Sequence, residues 1–206
     1  MLSRHIRILN FDDSVTGQKG LLSKYEAEII DLRDLGRSAR FWLNGADRLK
    51  VEERIGVAFA NAVTFLGSGD FHHVTDILIR KFNEPVSVIS FDFHPDWNIL
   101  SPFLSCGSWL AHTIKNKNVL KCVLVGISSG DFSLSMHAGD FRSLKDDKIE
   151  IYPYSHKPSS IFFRNIPPNI SVKSKKYPFF TSICWNELKN SNLVEFFLHE
   201  IGRAHV

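Results

Sequence analysis

Two short apolar runs, 62–66 and 86–91, dominate the hydrophobic and polar pattern of the chain, and each stops abruptly in polar residues. Runs of this length, rich in β-branched and aromatic side chains, predict buried strands. The first passes into Gly67, Ser68, Gly69, Asp70 and then His72 and His73. The second passes into Asp92, His94 and Asp96. Between them Val74, Ile77, Leu78 and Phe82 recur at helical spacing. The pattern predicts a βαβ unit with parallel strands, both polar clusters lying at one carboxyl edge of the sheet. Ligands of open α/β sheets bind at that edge.

The remaining elements follow by the same reasoning. Residues 5–11 predict a strand, closed by Asp12, Asp13 and a turn at Thr16 and Gly17. Asp12 and Asp13, adjacent in the chain, fit a turn or cap role. Residues 25–32 mix charge with Ile29 and Ile30 and favour no period, whereas 49–60 predict an amphipathic helix. A loop at Ser101 and Pro102 precedes a short helix over 106–114 and a buried strand over 119–127. Loop-like sequence over 128–140 leads to an alternating strand at 148–152. Residues 153–178 hold five of the eight prolines and predict a long irregular connection. A strand at 177–183 and a helix at 191–199 close the pattern. The last six residues, IGRAHV, can be encoded by ATC GGA AGA GCA CAC GTC, which matches a common sequencing-adapter sequence. The expectation is one partial α/β domain over 1–200, followed by an adapter translation at 201–206.

Composition narrows the function classes. At 206 residues, 44% hydrophobic and 23% charged, the chain has globular proportions and one domain by length. A net charge of +3 without a dense Lys/Arg stripe argues against nucleic-acid or membrane partners. Three cysteines without a CxxC pair suit a reducing compartment better than a disulfide framework. There is no leader-like apolar region at the start and no apolar stretch of about 18 residues. A cytoplasmic protein with a small-molecule substrate, able to form a homo-oligomer, is expected.

The candidate chemistry is metal binding. Asp92, His94 and Asp96 stand at period two, which on an extended strand projects all three to one face, and Pro95 biases His94 toward extended backbone. Two carboxylates with an imidazole suit manganese, zinc or iron better than calcium. His72 and His73, at the neighbouring strand end, strengthen that reading; one of the two suffices as a ligand, and local helical geometry decides which. Asp70 fits a helix cap. The Gly67-Ser68-Gly69 turn lacks the further residues of a dinucleotide or P-loop fingerprint. Trp97 and Trp109 fit the core or a stacking role, His112 and His137 fit the surface, and Cys122 fits the core.

GSGDFHH, then FDFHPDW, CGSWLAHTI and VLVGI, together resemble the arginase (ureohydrolase) superfamily over roughly 60–190. The resemblance implies a three-layer α/β/α sandwich with a mainly parallel sheet, as in arginases and deacetylases, incomplete at its C-terminus. It also implies a manganese site. One of His72 and His73 would bind the first metal, Asp92 would bridge, His94 would hold the second, and Asp96 would return to the first. A metal-bound water would attack a C–N bond of a guanidino or amide substrate.

Two departures shape the expectation. Where the family reads Ser-x-Asp-x-Asp, this chain reads Ser182-Ile183-Cys184-Trp185-Asn186. Each lost carboxylate charge removes attraction on the order of 4 kcal/mol at about 4 Å and an effective dielectric near 20. Where the family carries a His-Gly pair, Cys106 and Gly107 stand. A softer single-metal site follows, with zinc or iron and Cys184 as a further ligand, and with Asp96 and Cys106 as catalytic candidates. The alternative is a non-catalytic protein with a degenerate or structural metal site.

Overall fold

Strand-forming runs rich in Ile and Val assemble into parallel sheets in a computed structural model that describes residues 5–57, 61–129, 138–190 and 192. The helix expected at 191–199, the end at 201–206 and His137 lie outside the described residues. The chain divides into two units, Met1–Asn83 with Ser101–Trp109 and Glu84–Leu100 with Leu110–Val206.

In the first unit, β1 (His5–Asn10) is the central strand of a three-stranded parallel sheet, between β2 (Glu28–Asp31) and β4 (Ala62–Phe65). Its Ile8 and Leu9 are fully buried. The short helix α1 (Lys19–Leu22) leads toward β2. A two-residue antiparallel pair, β3 (Trp42–Leu43) with β6 (Leu104–Ser105), draws the later segment in, and the Cys106 N–H donates to the Phe41 carbonyl at 2.9 Å. Helix α2 (Gly45–Ile55) starts four residues earlier than the apolar period indicates. Asn44 caps it by accepting the Asp47 N–H at 2.8 Å. At the other end, the buried Arg7 guanidinium donates to the carbonyls of Ile55 (2.6 Å) and Val57 (3.0 Å) and to Glu28 (2.9 Å). A cation there satisfies carbonyls that the helix leaves open. A 3₁₀ segment, Gly69–Val74, leads into α3 (Thr75–Arg80).

In the second unit, β7 (Val119–Val125) lies between β5 (Val86–Phe91) and β8 (Ile149–Tyr152), all parallel. Phe91, Val125 and Tyr152 align across the sheet, so the carboxyl ends are level. Helix α4 (Trp109–Thr113) precedes β7, and α5 (Phe141–Lys145), capped by Asp140, precedes β8. Val123, Val125 and Tyr152 pack with Leu188 and Ile89 as one core.

β4 lies in the sheet of the first unit and β5 in that of the second. One expectation differs from this arrangement. The stretch expected to be irregular holds two strands, β9 (Ser159–Phe162) and β10 (Val172–Lys176), which flank β11 (Phe180–Trp185) antiparallel, in the order β10-β11-β9. Its prolines sit between the strands. The linking loop is stitched to β8 by Asn169, which donates to the Ile149 carbonyl at 2.9 Å, and by Ser171, whose hydroxyl accepts the Ile151 N–H at 3.0 Å. The described residues are thus α/β, with two three-stranded parallel sheets, one three-stranded antiparallel sheet and the antiparallel pair β3–β6. Among the described residues, no helix is long and apolar enough to cross a membrane.

Candidate functional site

The turn after β4 is held by residues distant in sequence. Gly67 has φ +81°, and a Cβ there would lie 3.0 Å from Asp12 Oδ1 and 3.3 Å from the Phe71 ring. Both the backbone and the space call for glycine. The Asp12 carboxylate accepts the N–H groups of Ser14 (3.1 Å) and Ser68 (3.3 Å) and the Ser14 hydroxyl (2.6 Å). Burial raises its pKa, but these donors outweigh burial and hold the carboxyl below its ordinary range. The turn role expected for Asp12 therefore extends to a tie between the β1 and β4 loops. Asp70 does not cap a helix. It sits inside the 3₁₀ segment and pairs with Arg40 at 2.7 Å. Arg40 carries no motif that would have singled it out.

Two adjacent histidines follow, in different environments. His72 Nδ1 lies 2.6 Å from the Gly69 carbonyl and Nε2 lies 3.3 Å from the Cys106 carbonyl. Both nitrogens face carbonyl oxygens, and a neutral ring donates to one of them; the shorter contact favours the proton at Nδ1. His73 is fully buried, with Nδ1 3.4 Å from the Cys106 thiol, which also lies 3.4 Å from the Asp70 carbonyl. Burial, then the neighbouring His72, push the His73 pKa down to about 4, against the pull of the Ala39 carbonyl. The folded pKa lies below the ordinary 6.5, so between these values the unfolded chain binds a proton that the folded chain refuses. The stability due to neutral His73 is complete above pH 6.5 and is lost as pH falls toward 4. With chelator present, urea unfolding is expected to show a loss of about 2 kcal/mol between about pH 7 and 5. His73→Gln should lack most of that slope. An equal slope in both proteins would assign it to other groups.

In the second unit, β5 ends at Phe91 and the acidic residues lie just beyond it. The Asp92 N–H donates to the Val125 carbonyl at 3.2 Å. Asp92 Oδ1 in turn accepts the His94 N–H at 3.0 Å. This local turn replaces the extended run expected for Asp92 to Asp96. Asp96 adopts φ +46°, so a uniform period-two projection does not continue to it. Its side chain is buried, whereas His94 is exposed and its ring packs edge-on against Phe93 at 5.0 Å. The Asp96 carbonyl accepts the Leu110 N–H at 3.1 Å, and the Phe93 carbonyl accepts those of Ser128 (3.1 Å) and Ser129 (3.0 Å). A buried carboxylate on left-handed backbone, held by the start of a helix, is a costly arrangement of the kind found at functional sites.

Cys184 is exposed on β11, and among the described residues of its unit it gathers with no two other His, Cys, Asp or Glu side chains. Asn186 is occupied elsewhere: its amide donates to the Ile170 carbonyl at 2.7 Å, and its N–H donates to the Ser171 carbonyl at 2.9 Å. Cys122 lies in the core of β7, where burial lifts its thiol to about 12 and leaves it inert. Trp97 is fully buried against Phe141, with ring centroids 5.4 Å apart.

Comparison with known proteins adds one sequence. An uncharacterized protein of Thermotoga maritima is 44% identical over 126 residues, which are 61% of this chain and 50% of that protein. The chain thus spans about half the length of the curated relative it matches. No family profile matches the chain. No solved structure matches it.

Proposed function

We propose that the chain is part of a metal-dependent hydrolase resembling the arginase superfamily, cleaving a C–N bond of a guanidino or amide substrate. The reading includes the three-layer α/β/α sandwich of that superfamily. As the resemblance implies, His72, Asp92, His94 and Asp96 would hold a divalent ion, and the donor set of imidazole and carboxylates fits manganese, zinc or iron. Such an ion, when bound, acts as a Lewis acid that brings the pKa of water toward neutrality.

The observation that carries the reading is the 2.6 Å contact of His72 Nδ1 with the Gly69 carbonyl. Metal-ligating histidines commonly give one ring N–H to a carbonyl or carboxylate, which fixes the tautomer and aims the other nitrogen. His73, buried against the Cys106 thiol, is the supporting neighbour in this reading and His72 the ligand. The Asp92 backbone is anchored to β7, which limits the freedom its carboxylate loses on binding an ion. The half-buried Cys106 beside His73 would shape the pocket where the family has its His-Gly pair.

A second reading, a non-catalytic protein with a structural metal site, draws on the other half of the resemblance. The positions of the two missing carboxylates are taken by an exposed Cys184 and by an Asn186 whose amide bonds a backbone carbonyl. Elemental analysis of a full-length preparation, together with assay of urea or ammonia release from guanidino and amide substrates, separates the two. One ion per chain with turnover supports the hydrolase. One ion without turnover supports a structural site in the second reading, and no stoichiometric transition metal sinks the hydrolase and leaves a degenerate site.

A further inference from the structure

The antiparallel sheet carries a surface that the metal chemistry does not use. Residues 153–186 contain five Lys or Arg and no Asp or Glu, while the whole chain has a net charge of only +3. The positive charge is therefore concentrated here, and the chain-wide balance conceals it. Aromatic rings are concentrated in the same stretch.

Strand register sorts these residues by face. On β11 the side chains of Thr181, Ile183 and Trp185 are buried, while Phe180, Ser182 and Cys184 point the other way. Phe162 on β9 lies directly opposite Phe180, and Lys173 and Lys175 on β10 lie opposite Cys184 and Ser182. The outer face thus sets two rings side by side and two ammonium groups beside the small side chains of Ser182 and Cys184. Phe162 and Phe180 lie 6.1 Å apart, and Tyr177 stacks on Phe180 at 4.7 Å with 18° between planes. The Lys175 ammonium sits 5.4 Å from the Tyr177 ring. At the end of this face an open cleft of about 370 Å³ is lined by Phe163, Arg164, Lys176, Tyr177 and Phe179, among others. Phe163 and Phe179 are 85% and 68% exposed. Among the described residues, Arg164, Lys173, Lys175 and Lys176 make no ion pair with a carboxylate.

We propose that this face and the cleft at its end bind a single-stranded nucleic acid, with bases stacking on Phe162, Phe180 and Tyr177 and phosphates meeting Lys173 and Lys175 on the face and Arg164 and Lys176 at the cleft. Exposed rings interleaved with cations on a pleated sheet match what such a strand offers: a planar π-face and one negative charge per nucleotide. The cleft is of the size that takes one small planar ligand. A duplex hides its base faces, and a lipid surface offers no planar group to stack. The mild net charge of the chain argues against a nucleic-acid partner only when averaged over all residues. This proposal does not rest on the metal reading.

Fluorescence anisotropy of the full chain with a labelled oligothymidylate of about 15 nucleotides tests it. Binding should weaken about 50-fold between about 50 and 200 mM salt, as expected for four phosphate contacts on a single strand. Phe162→Ala and Phe180→Ala should each weaken binding roughly tenfold. Lys175→Ala should lower the salt slope by about 0.7. Phe162, Lys173 and Lys175 are surface residues, so the variants should keep the parent melting curve, and a Lys173→Ala/Lys175→Ala chain gives a second reading without touching a ring. The proposal is overturned by absence of binding at low salt, by equal or tighter binding of duplex, or by ring variants that bind as well as the parent. Binding to phosphatidylserine vesicles with none to the oligonucleotide would likewise overturn it in favour of a lipid surface.

Discussion

On the hydrolase reading proposed above, a chain carrying Asp92→Asn is expected to bind manganese, zinc or iron at least about 100-fold more weakly than the parent and to lose the proposed metal-dependent C–N hydrolysis. Asparagine keeps the shape of the side chain and an oxygen able to accept the His94 N–H, which Asp92 now binds at 3.0 Å. The turn beyond β5 should therefore persist, and the change is confined to one unit of charge. At an effective dielectric near 20 that charge is worth on the order of 4 kcal/mol per unit of opposite charge at about 4 Å. Each 1.4 kcal/mol is about tenfold in affinity, so even one unit of the ion's charge corresponds to a loss of at least about 10² to 10³. Equilibrium dialysis with elemental analysis measures it directly, and an unchanged urea midpoint for the metal-free proteins shows that the fold is not the cause. Stoichiometric metal retained by the variant would remove Asp92 from the ligand set. Two ions per chain in the parent would refute a single-metal site even if Asp92 matters.

How much of this was legible in the sequence depends on where each side chain finds its partner. β5 and β7 were readable because their apolar, β-branched runs are buried on a parallel sheet, where the pattern is nearly continuous. β9 and β10 were not: VKSKK on β10 buries only Val172 well, and prolines bracket both strands, so the local pattern resembles loop. The strand partners of β4 within the first unit and of β5 within the second lie far away in the chain and leave no mark in the local pattern. The residue types around the candidate site were legible as the clusters at 70–73 and 92–96. Their conformations were not. The left-handed Asp96 leaves no trace in an alternating Asp-x-His-x-Asp pattern, since aspartate is tolerated there without a glycine signal. Nor does sequence show that His73 is sealed against a thiol while its neighbour His72 meets two carbonyls, because on a 3₁₀ turn one residue changes the direction by about 120°.

Gly36→Ala is expected to be among the most damaging single-methyl additions in the first unit, lowering stability by about 3 kcal/mol. The backbone of Gly36 is ordinary right-handed helical, φ −53° and ψ −42°, so torsional strain is not the reason. The obstacle is space: a Cβ there would run into the Phe11 carbonyl, with the Arg33 carbonyl also only 3.2 Å away. Backbone cannot rotate aside as a side chain does, so either the end of β1 or the 3₁₀ turn Arg33–Leu35 must move. Phe11 stacks on Phe71 at 4.6 Å, and Phe71 immediately precedes His72. The displacement would therefore travel to the histidine turn and should also weaken metal binding, without any ligand having been changed. Gly20→Ala is the control, because a Cβ at that helical position meets nothing within 4 Å. It is expected to be neutral or to stabilise by up to about 1 kcal/mol. Against a total stability of about 5–15 kcal/mol, the two outcomes are readily separated by urea midpoints at constant slope. Equal midpoints for the two variants would mean that the Phe11 carbonyl moves freely, and the rigid link between β1 and the histidine turn would then have to be given up.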